Sequence, residues 1–156
     1  MTTATVQQKS STIVQVLAIV IIVAGVVLIV SGIFTWFNVS NHLADANITV
    51  SDDANHFAGD TVDGPLTAYE EALVIDRHAL EATGGLTYAE LGRDDPLRET
   101  AMTASFLRAS LFTSVVSFGV ALMAAGIGLV LLFVGWALLA LNRADRFQVV
   151  VEKDGA

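Results

Sequence analysis

The stretch that decides the fold is TIVQVLAIVIIVAGVVLIVSGIFTWF, Thr12 to Phe37. Residues 13–37 hold seventeen Ile, Val, Leu or Phe and no charged side chain. Such side chains contribute about −0.3 to −0.6 kcal/mol each to membrane insertion, a gross gain of roughly −5 to −10 kcal/mol, of which Gln15 and the small residues cancel only part. The uncharged tract is longer still, from Ser10 to Ala44. As a helix rising about 1.5 Å per residue it would reach roughly 50 Å, more than the ~30 Å hydrocarbon core of a bilayer. The buried helix of a soluble protein rarely needs such a run. A cleaved signal peptide would explain Lys9 and the loosely cleavage-like Ala44-Asp45-Ala46. Its apolar core, however, is usually 7–15 residues and lies close to the cleavage site, so an uncleaved anchor fits better.

A second uncharged tract, Ala109 to Asn142, answers the first, and between them lies an acidic segment. The expected fold is therefore an all-α membrane protein: a two-span transmembrane helical hairpin with a small, mainly helical extracytoplasmic domain that has room for one short strand. The boundaries expected are an N-terminal tail at 1–11, a first span at 12–37, the acidic domain at 38–108, a second span at 109–141 and a C-terminal tail at 142–156. Residues 38–107 carry thirteen acids against Arg77, Arg93 and Arg98, a net of −10. Basic residues near span ends favour the cytoplasm. Lys9, Arg143 and Arg146 thus predict a cytoplasmic-membrane protein with both termini inside and the domain outside. Arg108 votes the other way, but can lay its stem along lipid and keep its head in water. Phe34, Trp36 and Phe37 would mark the outer interface, and Trp136 the inner one, where aromatic rings are favoured.

The domain contains no cysteine, hence no disulfide, and about seventy residues make a marginal core. It is expected to lean on the membrane helices, on a second copy or on a membrane-protein partner. Its acidity excludes nucleic acid as a partner. Small residues recur every seven positions in both spans: Ala18, Gly25 and Gly32, then Ser114, Ala121, Gly128 and Gly135. That period keeps them on one helix face, where small side chains let backbones approach closely. The two stripes could pack on each other or on a partner.

Within the domain, Asn47-Ile48-Thr49-Val50-Ser51 alternates like a short strand. Residues 51–64, rich in Asp, Asn and Gly, read as loop. A helix should begin at Pro65 after Gly64 and stop at Gly84-Gly85. Its inward face would be Ala68, Ala72, Ile75, Ala79 and Ala82, with Leu66, Tyr69, Leu73 and Leu80 alongside. Thr87-Tyr88-Ala89-Glu90 has capping-box spacing for one turn, and Asp95-Pro96 should open a helix that runs unbroken into the second span.

Asp52, Asp53, His56, Asp60 and Asp63 form the densest ligand-like cluster. Oxygen ligands suit a divalent metal such as Ca²⁺, Mg²⁺ or Mn²⁺, and an imidazole would suit a transition metal. The spacing matches no EF-hand, and a solvated acidic loop is the competing reading. His42, His56 and His78 all fall in the outer segment, with no ordered two-histidine, one-carboxylate set. No other cofactor is indicated, and no nucleophile or phosphate-loop signature occurs.

The blocks ITVSDDA (48–54), DGPLTAY (63–69), HALEATGGLTYAEL (78–91) and DPLRETAMTASFLRASLFTSVVSFGVA (95–121) resemble a family of small two-span membrane proteins from actinobacteria. The likeness covers most of residues 38–140. Members often carry the automatic name "aromatic ring-opening dioxygenase LigA", which would imply iron-dependent cleavage of catechol-type substrates. That name misleads, because the true small subunit of that enzyme looks soluble and the iron ligands lie on its larger partner. The family commonly has a lysine before Thr-Tyr-Ala-Glu-Leu, where this chain has Leu86. The functional expectation is an accessory or interaction subunit of a larger membrane complex, with an extracytoplasmic metal-binding or redox-linked module as the alternative.

Overall fold

The computed structural model describes the backbone over residues 7–154 and side chains over 12–143. Three helices follow one another: α1, Gln7–Asp45; α2, Pro65–Ala82; and α3, Arg98–Asp154. No strand occurs among the described residues. The outermost parts of the expected tails, residues 1–6 and 155–156, lie outside the described residues. The long helices overrun the expected spans at both ends. No Pro or Gly interrupts residues 7–24 or 136–154, so nothing in the backbone stops either helix where its apolar run ends. α1 closes where Asn47 takes a left-handed conformation (φ 53°), one of the few non-glycine residues that can do so as a helix terminator.

The chain divides into two units, one made of residues 1–33 and 122–156, the other of 34–121. In the first, α1 and α3 cross antiparallel through glycine. A Cβ placed on Gly25 would lie 2.7 Å from the Gly128 carbonyl oxygen, and one on Gly128 would lie 2.6 Å from that of Gly25. Gly135 sits as tightly on Ile22 and on the Ala18 carbonyl, and Ala18 is fully buried. Outside this seam the aliphatic side chains point away from the protein: Val20, Val27, Val30, Val130 and Phe133 are all more than half exposed.

In the second unit the core is built from Leu43 of α1, Val50 and Val62 of the connecting segment, Ala68 and Ala72 of α2, and Leu111 and Phe118 of α3. Trp36 meets Phe118 edge to face at 4.8 Å, and Tyr69 meets Phe112 likewise at 5.8 Å. Such pairs hold by quadrupole geometry as well as by area. Arg108 bonds the Asp76 carboxylate of α2, so its charge is met by protein.

The expected strand is reduced to one antiparallel bridge, Thr49 with Thr61. Val50 donates to the Asp60 carbonyl, Gly59 to that of Val50, and Val62 to that of Ile48. Val50 and Val62 are buried, as the alternation requires, but the left-handed Asn47 and Phe57 and the turn at Gly59 leave no length for a ladder.

α2 has the expected ends. Pro65 opens it, with the Thr67 hydroxyl accepting the Gly64 N–H. Gly84 and Gly85, at φ 68° and 86°, close it, and the Gly85 N–H reaches back to the Leu80 carbonyl. Its inward face differs from expectation. Ala68 and Ala72 are buried, but so are Glu71 and Val74, while Leu66, Leu73 and Ala82 face outward and Tyr69, packed on Phe112, remains 46% exposed. The reason is a second layer: the loop after Val50 folds over the flank of α2 that carries Glu71, so that flank is covered too.

After α2, the Glu90 carboxylate accepts both the N–H and the hydroxyl of Thr87, fixing the single turn anticipated there. The Arg98 guanidinium lies 4.0 Å over the Tyr88 ring and donates to the Tyr88 and Leu91 carbonyls. The Asp95 carboxylate accepts the Leu97 N–H, and α3 then runs without a break.

Candidate functional site

Two features of the second unit gather polar groups. The first is the clasp between loop 51–56 and α2. Glu71, 7% exposed, accepts the Ser51 N–H at 2.8 Å on one oxygen and the Ser51 hydroxyl at 3.2 Å on the other. Its chain neighbour Glu70, about 100° round the helix, meets the loop as well and accepts the Asn55 and His56 N–H groups at 3.1 and 3.3 Å. The His56 ring stands 3.8 Å from the same carboxylate. Two turns further on, Arg77 donates to the Asp53 carbonyl and carboxylate, and the His78 Nε2 lies 2.7 Å from that carboxylate. The His78 ring, with the Arg77 guanidinium adding to it, holds the Asp53 carboxyl below its usual value, against a smaller opposing effect of lost hydration. The Thr87 N–H and hydroxyl do the same for Glu90.

This arrangement decides where the expected ligand residues go. Asp53 turns to Arg77 and His78 on α2, and His56 turns to Glu70. Asp60 uses its carbonyl on Val50 and Asp63 its carbonyl on the Ser40 hydroxyl, and the side chains of Asp52, Asp60 and Asp63 belong to exposed residues. The five are not brought together, and among the described residues no three His, Cys, Asp or Glu side chains converge as a metal site would need. Asp53 with His78 forms a carboxylate–imidazole pair, but the pair spans loop and helix at the surface. Its geometry fastens the loop.

The second feature is an open groove of about 540 Å³ between the last turns of α1, the middle of α2 and the outer part of α3. Val39, Leu43, Ile48, Ile75, Leu107 and Leu111 give it apolar walls; His42, Glu71, Ser110, Thr113, Ser114 and Ser117 are its polar lining. The hydroxyls turn back on their own helix: Thr113 donates to Ala109, Ser114 to Ser110 and Ser117 to Thr113. Of the small-residue stripes, Gly25, Gly128, Gly135 and Ala18 meet across the helix pair, Gly32 and Ala121 are buried, and Ser114 belongs to the groove.

Sequence reasoning missed Ser51, Glu70 and Glu71. A signal existed for Glu71. It lies three residues after Ala68 and four before Ile75, inside the arc that the apolar spacing turns inward, so a buried carboxylate with dedicated donors was the consistent expectation.

In comparisons with protein-family models, with curated proteins and with solved structures, nothing matches the chain significantly.

Proposed function

We propose that this protein is a two-span protein of the cytoplasmic membrane, its acidic domain outside and both termini inside, acting as an accessory subunit that binds another membrane protein. The observation that carries the interaction role is the outward stripe on α2. Leu66, Tyr69 and Leu73 stand 66%, 46% and 43% exposed on a domain that is otherwise strongly acidic, and spacings of three and four place them on one helix face. Apolar side chains lined up on one face mark contact with something other than water.

Membrane residence is supported by two helices with apolar stretches of mean hydropathy 3.3 and 2.5, little of either buried. Twenty helical residues, about 30 Å, span the hydrocarbon core. Counted from Trp36 back along α1 they reach Leu17, and from Trp136 along α3 they reach Ser117. Gly25 and Gly128, which touch, fall near the middle of both counts. Orientation rests on Lys9, Arg143 and Arg146, and the resemblance to the two-span actinobacterial family supports the two-span architecture.

The test is affinity purification of the tagged full chain from its own membranes in mild detergent, with quantitative mass spectrometry. A near-stoichiometric membrane protein that co-purifies, and that is lost when Leu66 and Leu73 are both changed to Gln, is the expected result. Recovery of the chain alone, or only with copies of itself, refutes the accessory role.

A further inference from the structure

The groove of the second unit is lined by one carboxylate, Glu71, and by the exposed imidazole of His42. Glu71 is more than nine-tenths buried and its hydrogen-bond donors are the N–H and hydroxyl of Ser51, both uncharged. A buried carboxylate is ordinarily met by a cation. No arginine lines the groove, and Arg77 is committed to Asp53, Arg108 to Asp76, and Arg98 to backbone carbonyls and the Tyr88 ring. Among the described residues Glu71 has no ion-pair partner. Two of the roughly four lone-pair sites of its carboxylate remain for another donor. The Thr113, Ser114 and Ser117 hydroxyls that line the groove spend their protons on their own helix, so they too offer only acceptors. Leu43, Ile48 and Leu111 supply the apolar remainder.

We infer that this groove binds a small amphiphile with a single cationic amine head, the ammonium at Glu71 and the apolar body along α3 toward Ser117. From Leu107 to Ser117 the groove runs about 15 Å along α3. The groove holds about 540 Å³, in the range of a small-molecule site with apolar walls and few polar groups. The inference rests on the reading of both helices as membrane-spanning, and it is independent of the accessory role.

The chain has two tryptophans, and Trp36 lies one helical turn from Val39 of the groove wall and packs on Phe118 beside Ser117. The full chain carrying Trp136→Phe, reconstituted in phosphatidylcholine nanodiscs, is titrated with 11-bromoundecylamine and, separately, with 11-bromoundecanol at equal mole fraction in the bilayer. Bromine quenches indole on contact. The amine is expected to quench Trp36 saturably, with half-saturation about tenfold below that of the alcohol. Glu71→Gln should bring the two probes together. Ser114→Leu, which fills the groove from α3 without touching the Ser51–Glu71 contact, should abolish saturation. Quenching that rises linearly, equally for both probes and equally in both variants, overturns the inference. Nanodiscs of brominated phosphatidylcholine separate the two possible failures. If they leave both tryptophans of the unmodified chain unquenched, the membrane reading falls and this one with it; if they quench while the amine never saturates, this inference alone falls.

Discussion

Gly128→Ala and Gly126→Ala place the same methyl group on the same helix two residues apart, and the structure assigns them opposite outcomes. At Gly128 the new Cβ would stand 2.6 Å from the Gly25 carbonyl oxygen, 2.7 Å from Ile29 Cγ1 and 3.0 Å from the Ile29 nitrogen. Two of these three atoms are backbone, so rotating a side chain relieves little. Restoring ordinary contact near 3.4 Å moves the helices apart by about 0.8 Å at the crossing. A radial gap of 0.5–1 Å forfeits roughly a quarter to a half of each dispersion contact, and overpacking of a tight seam typically costs about 1–3 kcal/mol. In lipid no hydrophobic gain between helices compensates, since packing itself drives their association. At Gly126 nothing lies within 4 Å, so the methyl is free, and alanine's better helix propensity gives a change of zero up to about 1 kcal/mol in the stabilising direction. Both variants are unfolded in bicelles by titration with sodium dodecyl sulfate, followed by tryptophan emission. The reasoning predicts a midpoint shift for Gly128→Ala and none, or a small opposite one, for Gly126→Ala. Equal midpoints would refute it, because they would mean that the Gly25–Gly128 approach carries no packing energy.

Other outcomes follow from the domain and its orientation. Glu71→Ala leaves the half-buried Ser51 N–H without its acceptor and should destabilise the protein by about 1–3 kcal/mol in thermal melts, with Glu71→Gln losing less. Asp53→Asn should speed amide exchange across residues 51–56 while leaving α2 protected, because the exposed Arg77 and His78 contacts fasten the loop alone. The Asp53 carboxyl is lowered from an ordinary value of 3.8, so its contribution is fully present above that value and is lost as pH falls through the lower folded one. The side-chain carboxyl resonance of Asp53 should therefore titrate with its midpoint below 3.8, and a midpoint at or above that value would refute the contact. Finally, the absence of native cysteine makes topology directly testable: a Leu86→Cys variant should react with an impermeant maleimide in intact cells, and protection until lysis would reverse the orientation.

How much of this was legible depended on whether the signal was local. α2 could be bounded because Gly64-Pro65 and Gly84-Gly85 act through their own backbone preferences. The long helices could be found because seventeen branched or aromatic side chains in one run need no partner to be recognised. The glycine period marked Gly25, Gly128 and Gly135, but the register at which they meet is a property of the pair. The clasp was illegible for the same reason. Several carboxylates stood within reach of Arg77 and His78 in the chain, and only the fold of residues 48–62 selects Asp53. The face of α2 was misjudged because periodicity describes burial on one side, whereas this helix is covered by α1 and α3 on one flank and by the loop on another.

The pairing of residues 48–50 with 59–62 also bears on how the domain avoids sticking to copies of itself. A hairpin with free N–H groups along its outer edge is a template for adding another strand. Here the amides of Ser51, Asn55 and His56 end on the carboxylates of Glu71 and Glu70. An incoming strand would find those donors taken and would face negative charge in their place. The same acids that tie the loop to α2 thus also cover its backbone donors, and replacing Glu70 and Glu71 would leave those donors open to other acceptors as well as loosen a fold.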